Sequence, residues 1–506
     1  MEIHPYSVIL DDELDPASGF NKRTLSAVIS ELFVDRPHPW RQERYQLTLN
    51  AIIEHLKNDG QSEDSLIELI GDQKTELHLL LKQVLQALYS KDDIPFSDRY
   101  YTFLKALRAV IKSKQYIKAF TMGYWQPGES VLVGLAHKLC RVLYQDVHID
   151  AFCHDVVKTI ETAGMPHTET TDDETQKITL VPPIGDYIDT LSLTHDYIVS
   201  APASYKVPYF HELAQMMRGH LNICYDSHLQ ENVPYQLYAT TLPNEGGSQK
   251  PLYALRIGTP TQEKLFGFLF PSATINPEFI GFMNDLRFSK KRHVYFNLQL
   301  RRNRFFWQNE SFRCSALEKI QDQYSETLMV ITLAKNSPFY YQKGRFEKME
   351  DADIFKMLFL QEMRFGKHFY FPKKLTEDPS HNFFEDVKKM LDDVHSIHFD
   401  QLDFLSIEER MDFIEIFYVR LQEYCLAYFQ ADSYNITCRD GIDRAGAANA
   451  LFYINRLQKE GQTNNPSAVT KIKDILFAPA LFVKKRAIRN SRLQRFISAA
   501  HRLLKN

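Results

Sequence analysis

The chain predicts a mixed α/β protein with an added helical region, and three observations lead there. The first third carries apolar residues at helical spacing of three and four. From about residue 290 short strand patterns alternate with amphipathic helical ones. One of those strands, Ser433–Thr437, runs into Cys438-Arg439-Asp440-Gly441-Ile442-Asp443-Arg444, and a small-residue run then opens an apolar helix.

At 506 residues, 44% hydrophobic and 25% charged, the chain is too long for one ordinary domain. Three regions are expected: a helical region over 1–165, a β-containing appendage or start of the catalytic domain over 166–290, and an α/β catalytic domain over 291–506. A net charge of −4 excludes a nucleic-acid binder that acts through overall charge. Cysteines 140, 153, 224, 314, 425 and 438 form no C-x-x-C pair. Neither a zinc site nor a small disulfide framework is expected, and no metal or cofactor is called for. Met1–Leu14 is acidic and short of apolar residues, unlike a signal peptide. No window reaches 18 uninterrupted apolar residues, so a soluble chain with peripheral membrane contact is expected.

Taken in order, Leu25, Val28, Ile29, Leu32 and Phe33 begin the helical region. Similar patterns follow at Tyr45–Leu56, Glu76–Leu88, Tyr100–Ile111 and Val131–Leu143. Residues 164–177 are polar and acidic, a loop or linker. Strand composition appears at Tyr197–Ser200, Tyr235–Leu242, Leu252–Ile257 and Leu265–Phe270, with the turn Asn244–Gly247 between two of them. Pro208 opens a helix through Met217. Next come a strand at His293–Leu300, a helix at Ser311–Tyr324 and an apolar strand at Thr327–Ala334. A helix at Asp353–Met363, a short strand at Lys367–Phe371 and a helix at Asn382–Val394 follow. Ser406–Phe429 starts with the capping box Ser406-Ile407-Glu408-Glu409. A polar loop over 460–467 separates the helix after Arg444 from a basic tail, which has no acidic residue from Lys484 to Asn506.

The loop at 438–444 has the layout of an anion site, a turn feeding a helix N-terminus. Gly441 supplies the tight turn. Helix-end N–H groups and Arg444 favour the thiolate of Cys438, which can attack phosphorus in line. Arg444 offers a planar fork to two phosphoryl oxygens. Backbone N–H groups of 439–444, those of Arg439, Gly441 and Ile442 among them, take the remaining charge. A sugar alkoxide leaves poorly, so an acid is needed. Asp443 is the first choice. Asp440 shares that task, positions water or caps the helix.

This heptapeptide resembles the signature of the cysteine-dependent phosphatases. Within them it looks most like the myotubularin lipid phosphatases, which share the cysteine, the Asp two residues on, Gly, Asp and Arg. The larger layout, over roughly residues 190–505, is similar to the SidP family of Legionella effector phosphoinositide 3-phosphatases. The resemblance implies a cysteine-phosphatase-like catalytic domain acting on phosphatidylinositol 3-phosphate or the 3,5-bisphosphate. Cys438 would be the nucleophile, Arg444 the clamp and Asp443 the acid. It also implies a secreted effector that reaches host cytosol and endosomal or vacuolar membranes.

Two departures stand out. Ala445 takes the place of the Ser/Thr that usually follows the arginine, and Thr437 that of the histidine before the cysteine in tyrosine phosphatases. The expected partner is a phosphoinositide membrane surface, with no nucleic acid. Lys484, Lys485 and Arg486 are expected at the rim, binding a second phosphate or the lipid. The tail stripe of Leu493, Phe496, Ile497, Ala500 and Leu504 fits membrane contact or ordinary burial equally. Lys290-Lys291-Arg292 and the mixture of cations and aromatics over Arg301–Trp307 fit charged strand edges better than a single-strand groove. Other cysteine phosphatases, and a non-catalytic phosphoinositide adaptor, remain alternatives.

Overall fold

The computed structural model describes residues 39–71, 75–122, 129–165, 184–201, 224–226, 232–243, 248–264, 272–301, 310–463 and 465–505. The expected helix at Leu25–Phe33, most of the 164–177 loop, the helix at Pro208–Met217, the turn at Asn244–Gly247, the strand at Leu265–Phe270 and residues 302–307 lie outside them.

The described residues between 39 and 165 are mostly helical. They form α1 (Pro39–Asn58), α2 (Glu63–Ile70), α3 (Glu76–Tyr89), α4 (Phe96–Lys112), α5 (Lys114–Met122), α6 (Glu129–Arg141) and α7 (Asp150–Gly164). The periodicity of α3 and α4 becomes a buried stripe: Leu81, Val84, Leu88, Phe103, Leu107 and Val110 are all inaccessible. After α8 (Ile184–Ile188) comes α9 (Thr190–Ser200), where Tyr197–Ser200 was expected to be a strand. Its buried positions, Leu191, Thr194, His195 and Ile198, follow helical spacing. Burial against α7 overrides the β-branched preference of so short a run.

A mixed sheet organises the rest. Its strands are β2 (Tyr235–Pro243), β3 (Gln249–Arg256), β6 (His293–Asn297), β7 (Leu328–Leu333), β8 (Phe369–Tyr370) and β9 (Ser433–Thr437), in the order β2-β3-β9-β6-β7-β8. Short β1 (Cys224–Asp226), β4 (Thr261–Lys264) and β5 (Ala273–Ile275) form a separate sheet. Strands β3, β9, β6 and β7 run parallel, while β2 and β8 are antiparallel edges. The strands of the 166–290 region are thus divided. β2 and β3 belong to the central sheet, which crosses the boundary at 290.

The central strands are buried on both faces, as parallel strands require. Val294, Phe296, Met329, Ile331, Tyr434 and Ile436 face one core, and Tyr295, Leu328 and Val330 the other. The second core is filled by α1–α6 and by α10 (Pro277–Phe288). α11 (Glu310–Gln323) also packs into the second core, through Leu317 and Ile320, while against the first lie α12 (Ala352–Phe365), the single turn α13 (Lys373–Thr376), α14 (Phe383–His398), α15 (Ile407–Tyr428), α16 (Asp443–Lys459), α17 (Pro466–Lys484) and α18 (Asn490–Leu504). Helix α15 starts at the capping box, with both reciprocal bonds formed.

The tail helix α18 is part of this core. Leu493, Phe496, Ile497 and Ala500 are buried, and Arg495 and Arg502 pair with Asp412 and Glu409 of α15. The stripe is therefore occupied by protein and is not presented for membrane contact. Among the described residues no helix is long and apolar enough to cross a membrane.

Candidate functional site

Parallel register brings three strand ends to one edge. Asn297 of β6 stands opposite Thr437 of β9 and Thr332 of β7. Ligands of open α/β sheets bind at this carboxyl edge. Cys438, 6% exposed, follows β9 directly.

The loop after it is shaped from outside. The Cys438 carbonyl accepts from Thr259 Oγ1 at 3.1 Å, and that of Arg439 from the Thr259 N–H at 2.9 Å. The Asp440 carbonyl accepts from Asn232 Nδ2 at 2.8 Å and Arg256 Nη2 at 2.9 Å. With three successive carbonyls held by Asn232 and the segment after β3, the amides of 439 and 440 point away from that segment, since a trans peptide sets N–H opposite C=O. Gly441 has φ +64°, and a Cβ there would stand 3.0 Å from the Ile257 carbonyl oxygen. Any other residue is strained at this position. Ile442 is 3% exposed and sits in the core, so it anchors the loop by its side chain and does not offer that side chain to a ligand. Helix α16 begins at Asp443, and the N–H groups of a first helical turn have no acceptor within their own helix.

Arg444 reaches back over this turn. Its Nη2 donates to Glu310 Oε1 at 2.6 Å and its Nη1 to the Leu298 carbonyl at 3.2 Å. The other oxygen of Glu310 accepts the Leu300 N–H at 2.6 Å. Burial opposes the charge on Arg444, but Glu310 and then Cys438 outweigh it and raise the guanidinium pKa. Burial likewise opposes the Glu310 carboxylate, and Arg444 lowers it. Arg444 is held in place by a glutamate that sequence reasoning passed over.

Asp443 stands elsewhere than an acid should. Arg486 donates to both of its oxygens at 2.8 Å, and the Arg489 N–H donates to one at 3.0 Å. Burial pushes this carboxyl up, yet Arg486 and Arg489 outweigh burial and hold it well below the usual carboxylate range. A group so held has no proton to give near neutrality, and its geometry is that of a brace between α16 and the segment after α17. Arg486 is spent on that brace and does not form a rim. Lys485 is buried at φ 54° and caps α17, which places it in the fold rather than at an open edge. Lys484 is nearer the expected position, with Nζ 3.6 Å from Asp440 Oδ2. Arg439 Nε lies 4.0 Å from the other Asp440 oxygen. Ala445 is buried at the base of α16, and Asn449 Nδ2 ties its carbonyl and that of Ile436 together, at 2.8 and 2.9 Å.

A second charged cluster lies beside Arg444. Buried Lys335, just past β7, pairs with Glu415 of α15, and Tyr340 Oη donates to the same carboxylate at 2.5 Å. Arg492 of α18 lies over the rings of Tyr340 and Tyr341, 5.7 and 5.3 Å from their centroids, and donates to Tyr341 Oη. One signal for Lys335 was legible: a cation immediately after a wholly apolar strand. Arg492 looked like one of many tail cations.

Among the described residues no group of three His, Cys, Asp or Glu side chains is arranged to hold a metal. Compared with protein-family models, curated proteins and solved structures, the chain matches none.

Proposed function

We propose that the chain removes the 3-phosphate of phosphatidylinositol 3-phosphate or the 3,5-bisphosphate through a phosphocysteine. The observation that carries this is Cys438 and Arg444 meeting at the carboxyl edge of the parallel strands, where a helix begins. The thiolate of Cys438 attacks phosphorus, the bond from phosphorus to the inositol oxygen breaks, and that oxygen takes a proton. Water then attacks the phosphocysteine and phosphate leaves. Arg444 binds the phosphoryl oxygens in both steps.

The proton donor in this scheme is Asp440, the loop's other carboxyl, because Asp443 is held ionised by Arg486 and Arg489. Lys484 then stands at the site rim. The acting surface is proposed to be a host endosomal or vacuolar membrane, reached by a secreted effector, which rests on the sequence resemblance alone. Ala445 favours one other reading. With no hydroxyl beside the arginine to help expel the thiolate, the loop would bind phosphoinositides as an adaptor without turnover.

Phosphate release from a panel of phosphoinositide liposomes and soluble inositol phosphates separates these. Wild type should release phosphate from 3-phosphorylated lipids, and Cys438→Ser should not. Binding to liposomes without release would establish the adaptor. Faster release from soluble inositol phosphates would remove the membrane role.

A further inference from the structure

We infer that Arg492 and Lys343 form the subsite for a second phosphate of the inositol head group, so that the bisphosphate is preferred to the monophosphate; this rests on the loop at 438–444 binding the first phosphate.

Two segments carry these cations to the loop. Asp443 accepts from Arg486 at 2.8 Å and from the Arg489 N–H at 3.0 Å, which pins the start of α18 to the residue beside Arg444. Arg492 follows within one turn, its N–H donating to the Arg489 carbonyl at 2.9 Å. The second segment leaves β7. The Lys335 N–H and Arg444 Nη1 both donate to the Leu298 carbonyl, each at 3.2 Å. From there the chain turns through Ser337, whose carbonyl accepts the Tyr341 N–H at 3.1 Å. The segments meet where Arg492 lies over the rings of Tyr340 and Tyr341 and donates to Tyr341 Oη. Lys343 Nζ reaches the same Tyr341 ring, 5.4 Å from its centroid.

Their lack of a carboxylate sets these two cations apart. Elsewhere on α18, Arg495 pairs with Asp412 and Arg502 with Glu409. Lys484, the other cation expected at the rim, has Asp440 Oδ2 at 3.6 Å. Among the described residues no carboxylate lies within ion-pair distance of Arg492 or Lys343. The acids around them are taken, Glu415 by Lys335 and Tyr340, and Glu310 by Arg444. Stacking on a ring fixes a guanidinium yet costs none of the N–H groups along its edge, which match the oxygens of a phosphate. Arg492 is half-buried and Lys343 exposed, so an anion arriving from solvent can meet both.

The test is titration calorimetry on the full chain carrying Cys438→Ser, which binds without turnover. Two soluble head groups are used, inositol 1,3,5-trisphosphate and inositol 1,3-bisphosphate. The trisphosphate should bind about tenfold more tightly, the worth of one charge-assisted contact. Adding Arg492→Met, which keeps most of the side chain's bulk, should bring that ratio below about two. Lys343→Ala should lower it about threefold, and Arg492→Lys should restore part of it. Circular dichroism checks that each variant is folded. Equal affinity for the two head groups overturns the inference and leaves the reading of the loop intact. A tenfold preference that survives in folded Arg492→Met does the same. Should Arg492→Met not fold, Lys343→Ala decides, because its side chain is exposed, and an undiminished ratio there overturns the inference. Binding of neither head group defeats the phosphoinositide reading of the loop and this inference with it.

Discussion

The two sides of the central sheet's surroundings are built on different rules. The helical layer of α1–α6 and α10 is mostly apolar, and a buried two-point ion pair crosses it. Arg108 donates to both oxygens of Glu278 at 2.6 Å, and Glu278 is inaccessible to solvent. At the carboxyl edge of the strands, Arg439, Arg444, Lys335, Arg492, Lys484, Arg486 and Arg489 interleave with Glu310, Glu415, Asp440 and Asp443. One region buries apolar surface around an arginine–glutamate pair. The other gathers charged groups of both signs where strand ends meet the start of a helix.

Four experiments strain this contrast, the largest effect first. Cys438→Ser should lower phosphate release by about 10³-fold or more while leaving urea-induced unfolding unchanged, since the serine keeps the shape of the loop. A large stability loss there would erase the distinction between the two regions. Glu278→Ala should do the reverse. It strands a buried arginine and costs about 3–5 kcal/mol in chemical denaturation, with little change in release per folded molecule.

Asp443→Asn should fall between them, because the brace is a structural ion pair that lies at the carboxyl edge. Its folded pKa is depressed, so its stabilisation is present above the usual carboxylate range and is lost as pH falls through the folded value. At pH 7 the variant should unfold about 1–3 kcal/mol more easily. The gap should close below about pH 4, where the unfolded carboxyl takes up its proton. The smallest effect is expected at Asp474 of α17. It lines a cavity of about 260 Å³ with His154, Lys158, Glu161 and Lys473, and burial pushes its carboxyl up to about 7. A raised carboxyl binds protons more tightly folded than unfolded, so its contribution to stability falls as pH rises from about 4 to 7. Asp474→Asn should therefore stabilise the chain by roughly 1–2 kcal/mol at pH 8 and by nothing at pH 4. Equal gains at both pH values would place the cause in shape, not charge.

What could be read from the sequence follows the same division. Apolar periodicity marks α3, α4, α15 and the strands β6, β7 and β9, because burial writes itself into local spacing. The motif located Cys438 and Arg444, whose relation is also local. It could not find Glu310, 134 residues from its partner Arg444. Nor could it find Thr259, Arg256 and Asn232, which shape the loop from across the sheet. Asp443 was misjudged for the same reason. Its role is set by Arg486 and Arg489, and nothing near 443 in the chain announces them. Tyr197–Ser200 failed differently. Four residues of β-rich composition were outvoted by the helical spacing of the eleven-residue element around them.

Strand β9 has a consequence for how the molecule is made. It lies between β3 and β6, both of which leave the ribosome long before it. Until residue 437 emerges, the two earlier strands flank an empty slot with two unpaired edges. Thr259 meanwhile waits for the Cys438 carbonyl, 179 positions downstream. The loop that carries Cys438 therefore takes shape together with the last piece of the sheet. A chain cut short before β9 lacks that loop and carries two exposed strand edges, so the loop's formation doubles as a receipt for synthesis through β9.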